Sequence, residues 1–495
     1  MCSKAGAIAL LAALAALAGC ASAPSESYLT TKTPYRPRQA VTAYTAPPAG
    51  FTAVHTQLVA RHGTRGMTSM KDDLALLNMC RDAARENALT PLGKSLMADV
   101  QRLIEVQLLL GAGIDGIAKP GYANLTQIGI DEHRDLARRL VQRLPALFAT
   151  ADGGAIVVKH SGVDRARDSA YFFTQALAQA APAVAPAIAP AQTDRFTLYF
   201  HKLSAKVDGT PARSDPHLAV LEDSQRYQRY LDSPRLQQRL DAMHHDARLQ
   251  AAARVTLERL FSKEFVDRLA AGAVRFANTG TMEAASPDGK FRAKAEGKGT
   301  TVIASPVDAL MALSAVYEIA PGLRSELNRD FRPYIADEQA RLLAWANDAE
   351  DFYVKGPAMR ADAPVTYAMA QGLLNEFFDE AENRGTSHRA TLRFSHAEII
   401  MPLSTLLGLP GSRTPLAEGR CSITATTRGG AARWPRMPPT SSGTVLKMPR
   451  EPCWCACWST SGRRRSSRPA TAPASSPTAI FMCCPPCAAA IRRRL

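Results

Sequence analysis

A β-rich run, Phe51–Ala60 (FTAVHTQLVA), leads directly into Arg61-His62-Gly63-Thr64-Arg65, and this junction constrains the chain more than any other stretch. The run predicts a strand ending at Arg61. Beyond it, two arginines flank a histidine, and Gly63 lets the backbone come close to a ligand. A neutral imidazole can attack phosphorus, and guanidinium groups can hold phosphate oxygens in a planar, two-pronged grip.

Two further stretches repeat the strand–loop–helix plan. Ala155–Lys159 follows the turn signal Asp152-Gly153-Gly154 and leads through Ser161-Gly162-Val163-Asp164 into a helix to about Ala178, with Arg165 in its first turn. Thr391–Phe394 leads through Ser395-His396-Ala397-Glu398 into the apolar helix Ile399–Leu407. Three such units predict an α/β fold, an open mixed sheet flanked by helices, with ligands bound outside the carboxyl ends of the strands. Residues 205–385 read as a mainly helical inserted domain, with helices over Ser224–Leu249, Ala251–Leu269, Ser305–Ile319 and Ile335–Asp348. An Ala/Pro-rich bridge, Ala180–Ala191, leads toward it. The α/β core then comprises residues 50–204 and 386–420, and neither an internal repeat nor a transmembrane span is evident.

The formal charge of +15 invites a nucleic-acid reading, which fails once the charge is located. Residues 421–495 hold twelve Arg or Lys against the single acid Glu451, leaving only +4 on the preceding 420 residues. No nucleic-acid partner is expected. The same tail holds seven of the ten cysteines and three of the four tryptophans, a composition unlike that of disordered segments. Cys453, Cys455, Cys457, Cys483, Cys484 and Cys487 have no zinc-like spacing and no histidine among them, so neither a metal nor a cofactor is expected. A shifted reading frame accounts for the tail better. Joining the last base of each codon to the first two of the next lets Met437–Thr444 read A-A-N-I-Q-W-D. In the same way Arg450–Ser461 reads G-T-V-L-V-R-M-L-V-N-E, which alternates like a strand. Residues 421–495 are therefore expected to be a frameshifted, disordered tail, with the break between about Leu409 and Cys421.

At the other end, Lys4 precedes the apolar run Ala5–Leu17, too short to span as a mature helix, and the run closes on Leu17-Ala18-Gly19-Cys20. This resembles a bacterial lipoprotein signal over residues 1–20 with Cys20 as the lipidated residue. The alternative is an ordinary secretory signal cleaved near Ala21–Ala23. Residues 21–49, rich in Pro, Ser, Thr and Tyr, read as a flexible tether. Ala21 is compatible with an outer-membrane lipoprotein facing the periplasm or the cell surface, touching the membrane only through its lipid. Between Cys20 and residue 420 the one cysteine is Cys80, so the body has no internal disulfide framework. A monomer is expected.

The sequence islands share a family resemblance. Arg61-His62-Gly63-Thr64-Arg65 resembles the signature of the histidine phosphatase superfamily, acid phosphatase and phytase branch. Val163-Asp164-Arg165 with Ser169-Ala170 resembles the segment where that branch supplies a further phosphate-binding arginine. Ser395-His396-Ala397-Glu398, followed by Met401-Pro402-Leu403 and Leu406-Leu407-Gly408-Leu409, resembles multiple inositol polyphosphate phosphatases, most acid phosphatases having His-Asp there. Leu125-Thr126 with Gly129, Glu132 and His133 is similar to that family too, as are the fragments recovered by shifting the frame. The chain departs from the family at Gly66-Met67, where an aromatic residue or proline often follows the second arginine.

The resemblance implies hydrolysis of inositol polyphosphates such as phytate through a phosphohistidine. His62 would be the nucleophile and Glu398 the acid that protonates the leaving alcohol. Arg61, Arg65, Arg165 and His396 would hold the phosphate oxygens. Arg167 competes with Arg165 for its place, and Glu398 could instead be a favourable acid in a helix first turn. Lys71, Lys159 and His160 read as ordinary surface or supporting groups, and Cys80 as a buried thiol. A broad acid or sugar phosphatase, and an inactive product of a damaged gene, remain the alternatives.

Overall fold

The computed structural model describes residues 28–37, 40–44, 47, 49–382, 388–409, 412 and 415, and the backbone of 440–447, 454–460 and 480–483. At its centre lies a mixed seven-stranded sheet. Strands β1 (Thr52–Arg61), β2 (Ala155–His160), β3 (Gln192–Thr193), β6 (His388–Ser395), β7 (Thr440–Lys447), β8 (Trp454–Thr460) and β9 (Ile480–Cys483) stand in the order β3-β2-β6-β1-β7-β8-β9. The contacts from β3 through β1 are parallel, and those from β1 to β9 antiparallel.

Six consecutive residues of β1, His55–Ala60, are buried, as in a strand covered on both faces. The strand period divides them between two cores. Leu58 and Ala60 join Phe173 and Phe394 under helices α3 (Gln127–Arg143) and α4 (Asp164–Ala180). Val59 faces the other way, toward Phe377, Ile399 and Leu403. The last two belong to helix α7 (Ala397–Leu406), which starts directly after β6.

The helical part is built from two stretches of chain. Helices α1 (Asp72–Arg85) and α2 (Pro91–Leu108) share one apolar cluster with Ala247–Glu258, α5 (Pro306–Ile319) and α6 (Asp337–Lys355). The stretch expected to be one helix over Ser224–Leu249 is interrupted. Ser233 accepts a hydrogen bond from Leu236 N, and Pro234 starts a new helix that cannot continue the previous one. Ser262 divides Ala251–Leu269 in the same way. The insertion also holds an antiparallel hairpin, β4 (Phe276–Ala285) and β5 (Arg292–Ile303). Exposure alternates residue by residue along β5, where small and charged residues hide the strand period from a search for apolar alternation.

Two sequence expectations need correction. Part of the supposed tether is built into the body: Leu29 is buried in the helical core, and Thr30–Lys32 forms a 3-10 turn. The local polarity that suggested a tether says nothing about long-range anchors. Disorder of the tail does not hold for its three strands. Strand β7 pairs along β1 from Thr52↔Lys447 to Ala60↔Thr440 and supplies the hydrogen-bonding partner that the edge of a parallel sheet otherwise lacks. Residues 1–27, with Cys20, and most of the proposed frame break lie outside the described residues. Among the described residues no helix is long and apolar enough to cross a membrane.

Ending the chain after residue 420 should abolish cooperative thermal unfolding, because β1 is left with an open edge. A shortened protein that melts within about 3 °C of the full chain would show that β7–β9 add nothing to stability.

Candidate active site

The strand register builds the site. Arg61 pairs with Ser395 across the parallel β1–β6 contact, so His62 and His396 leave adjacent strands at one level. Their ring centroids are 5.4 Å apart. On the other side of β6, His160 pairs with Phe394, and Ser161 leaves β2 at the level of Ser395. Ser161 Oγ lies 2.8 Å from His396 Nε2. Three carboxyl ends of strands thus meet, with α4 and α7 starting from two of them.

The loop after β1 is held by its own backbone and by α3. The His62 amide donates to Ser395 O at 2.8 Å, and the Gly63 amide donates to Ser169 Oγ at 3.0 Å. Glu132 accepts from Thr64 N and from Thr64 Oγ1, both at 2.7 Å. Thr126 caps α3 by accepting from Gly129 N, while its own amide donates to Thr64 O at 3.0 Å. His133 Nε2 donates to Arg61 O at 3.1 Å. A Cβ on Gly63 would sit 2.3 Å from Gly129 O, and one on Gly129 would sit 2.1 Å from Thr64 O. Thus Leu125-Thr126, Gly129, Glu132 and His133, known from sequence only as a resemblance, form the clamp that fixes the loop.

His62 is buried, and its Nδ1 lies 2.8 Å from Gly63 O. A carbonyl can only accept, so Nδ1 carries the proton and Nε2 keeps its lone pair. Burial, then Arg61, Arg165 and Arg65, hold its pKa well below the ordinary histidine value, so the ring is neutral. A neutral imidazole with a free Nε2 is competent as a nucleophile.

Arg61 Nη1 donates to Thr31 O, and Arg65 Nη1 donates to Gly66 O at 2.6 Å. Arg165 Nη2 lies 3.2 Å from His396 Nδ1. Since a guanidinium only donates, Nδ1 of His396 must accept, and its Nε2–H then donates to Ser161 Oγ. Both nitrogens of His396 are engaged. Burial and Arg165 keep this ring neutral as well. The Nε atoms of Arg61, Arg65 and Arg165 are buried without a hydrogen-bond partner among the described residues. Burying such donors costs about 1–3 kcal/mol each, and an anion would satisfy them. Arg167 points elsewhere: it is exposed and pairs with Asp164 at 3.0 Å and Asp168 at 3.4 Å.

Glu398 opens α7. Its carboxylate lies 3.8 Å from Lys355 Nζ, which also pairs with Asp351 at 2.8 Å. Burial pushes the Glu398 carboxyl up, but Lys355, His201, its own backbone amide and His396 together outweigh burial and hold the group well below the usual carboxylate range. Lys355 and Asp351 carried no sequence signal, lying in the last turn of an ordinary amphipathic helix. His201 and Tyr199 were also missed: their rings meet His396 at 6.3 and 5.3 Å. Of the residues judged supporting, Lys159 bridges Asp194 and Glu376 at 3.1 Å each, and Lys71 is exposed. His160 accepts from Gly162 N at 3.0 Å, and Cys80 is a buried free thiol. Among the described residues no cluster of His, Cys, Asp or Glu is placed to hold a metal ion.

The strand ends thus gather a neutral histidine and three arginines with unmet donors. The family model described as histidine phosphatase superfamily (branch 2) matches residues 54–463. The chain belongs to this superfamily. It is a histidine-type phosphatase with a mixed α/β fold. Among solved structures it is similar to the multiple inositol polyphosphate phosphatase of Bifidobacterium longum in complex with phosphate. The two share 26% identity over 91% of this chain and 95% of that one, with a TM-score of 0.76. The complex of the same enzyme with inositol hexasulfate matches at 27% identity with the same coverage and TM-score. The phytase from D. castellii, at 11% identity, TM-score 0.52 and coverage of 89% of this chain and 82% of that one, shares the fold. No curated protein sequence matches.

Gly129→Ala is expected to displace the loop carrying His62, since the new methyl meets backbone on Thr64. Phosphatase turnover should fall at least about tenfold and stability by roughly 2 kcal/mol; unchanged turnover would show that the loop yields freely.

Proposed function

We propose that this phosphatase hydrolyses inositol polyphosphates such as phytate through a phosphohistidine at His62. The observation that carries the reading is the convergence, at three aligned strand ends, of a neutral His62, three arginines with unmet donors, and Glu398 after His396. The Bifidobacterium longum enzyme, similar over nine tenths of the chain, is described by the same activity.

In the proposed reaction, His62 Nε2 attacks phosphorus. The P–N bond forms as the P–O bond to the alcohol breaks, and Glu398 gives its proton to the departing oxygen. Arg61, Arg65 and Arg165 hold the equatorial oxygens while charge spreads over them. His396, buried and accepting through Nδ1, orients Arg165. Water then attacks phosphorus and yields a proton to the Glu398 carboxylate, and the P–N bond breaks to release orthophosphate. No cofactor enters this scheme.

His62→Ala should abolish turnover on every phosphoester; residual activity above about 1% of the parent would remove the phosphohistidine route. Glu398→Gln should lower kcat on alkyl phosphates on the order of 100-fold and on activated aryl phosphates far less, because a phenolate leaves without a proton. Equal losses on the two substrates would mean that Glu398 only shapes the site.

The pH profile has a definite sign. The fraction of neutral His62 rises with pH through a pKa well below 6.5, and the fraction of protonated Glu398 falls with pH through a pKa well below 4.5. For alkyl esters, kcat/KM should therefore peak in acid and decline toward neutrality. For aryl esters the decline should be much shallower, and an alkaline optimum for alkyl phosphates would contradict the acid role.

We further propose that the chain is exported and anchored through a lipid on Cys20, a residue beyond those described; the apolar run Ala5–Leu17 ending in Leu17-Ala18-Gly19 supports this. Labelling with radioactive palmitate should be lost in Cys20→Ala.

A further inference from the structure

We propose that Lys32 is a phosphate-binding residue that contacts a phosphate other than the one being transferred, and so favours substrates bearing several phosphates over simple monoesters. This deepens the reading above and rests on it. The first observation is position: Lys32 lines, with Arg61, His62 and Arg65, one solvent-open cleft of about 440 Å³. The second is how its segment is fixed. Thr30 Oγ1 donates to Glu318 Oε2 at 3.3 Å, Thr31 O accepts from Arg61 Nη1, and Tyr35 N donates to Glu132 Oε1 at 2.6 Å. The turn that carries Lys32 is thus bound to the first catalytic-loop arginine and to the glutamate that clamps the loop.

The third observation is the state of the amine. Among the described residues Lys32 Nζ has no hydrogen bond and no ion pair. Burial, with Arg61 and Arg65 close by, disfavours its charge, and only Glu318 and Asp351 oppose this. Glu318 is a weak counter-ion: burial raises its pKa to about 7, and its oxygens serve Asn347 at 2.5 Å and Thr30 at 3.3 Å. Lys32 is half-buried on the cleft, and an ammonium without an ion pair beside two guanidiniums is stabilised when an anion comes to it. The transferred phosphoryl group already has three arginines for its three equatorial oxygens. A fourth cation on a long, flexible stem suits a separate phosphate on the same ring better than a fourth contact on the first.

The test uses the full chain, with inositol hexakisphosphate and p-nitrophenyl phosphate as probes. For Lys32→Met, the ratio of kcat/KM for the hexakisphosphate to that for the aryl ester should fall about tenfold, mainly through KM, with Lys32→Arg within about threefold of the parent. An unchanged ratio in Lys32→Met, or equal losses on both esters, overturns the proposal. Should the Met variant not fold, judged by its Tm, Lys32→Gln is read by the same ratio. A parent enzyme that cleaves the aryl ester but not the hexakisphosphate sinks the inositol polyphosphate reading itself, which separates that failure from this one.

Discussion

The parallel register between β1 and β6 is the constraint on which the rest of the site depends. It sets Arg61 opposite Ser395, and so delivers His62, the proposed nucleophile, and the His396-Ala397-Glu398 turn to one height above the sheet. A slip of one residue would send His62 to the opposite face from His396, because side chains alternate across a strand. Buried polar contacts lock the register where apolar packing alone would tolerate a shift. Arg393 on β6 is fully buried, donating to Gln57 of β1 at 3.0 Å and to Glu376 at 2.5 Å. Any slip would strand that guanidinium among unsatisfied partners, at a cost of several kcal/mol.

Such a sheet needs something along the far edge of β1, and here the chain supplies it from an unpromising stretch. Residues 440–447 and 454–460 carry no readable strand pattern in sequence, yet their backbones pair with β1 and with each other. The frame that turns Arg450–Ser461 into an alternating strand sequence places that strand over the residues where β8 lies. The coincidence supports the proposal that the C-terminal sequence is a shifted reading of one that once specified these strands.

What could be read from sequence was local. A run ending in arginine, a turn signal before Ala155, and an apolar helix after Glu398 each carry their periodicity within a few residues, so strands β1, β2 and β6 and helices α4 and α7 were legible with small shifts in their bounds. So were Arg61, His62, Arg65, Arg165, His396 and Glu398, because each sits within four residues of a strand end or helix start. What escaped depends on contacts far apart in the chain. Lys355, paired with Asp351, reaches Glu398 from helix α6, and the Thr30–Lys32 turn reaches Arg61 from what looked like tether. Neither contact has a sequence period. The breaks at Ser233 and Ser262 were not read, because a single capping serine leaves the helical composition on either side unchanged.

The charges of the site raise a difficulty that its substrate can resolve. In the proposed reaction Glu398 must hold a proton, yet Lys355 with His201 and His396 holds its pKa well below the usual carboxylate range. The cause is the density of cations, which also depresses the pKa of His62 and leaves three guanidinium donors unmet. A polyphosphate brings several negative charges into this same volume. Each one offsets the field that held Glu398 in its ionised form, raising its pKa, and takes up the donors of Arg61, Arg65 and Arg165. The pull on His62 relaxes as well, but burial, the largest cause of its low pKa, remains and keeps the ring neutral. Binding thus moves the two groups differently: the acid gains its proton while the nucleophile stays free of one. A monoester with a single phosphate offsets less of the field, so it loads the acid less completely. In the proposed reaction, a preference for highly phosphorylated substrates would then arise from proton supply as well as from contacts, and a crowded cationic pocket becomes compatible with acid catalysis.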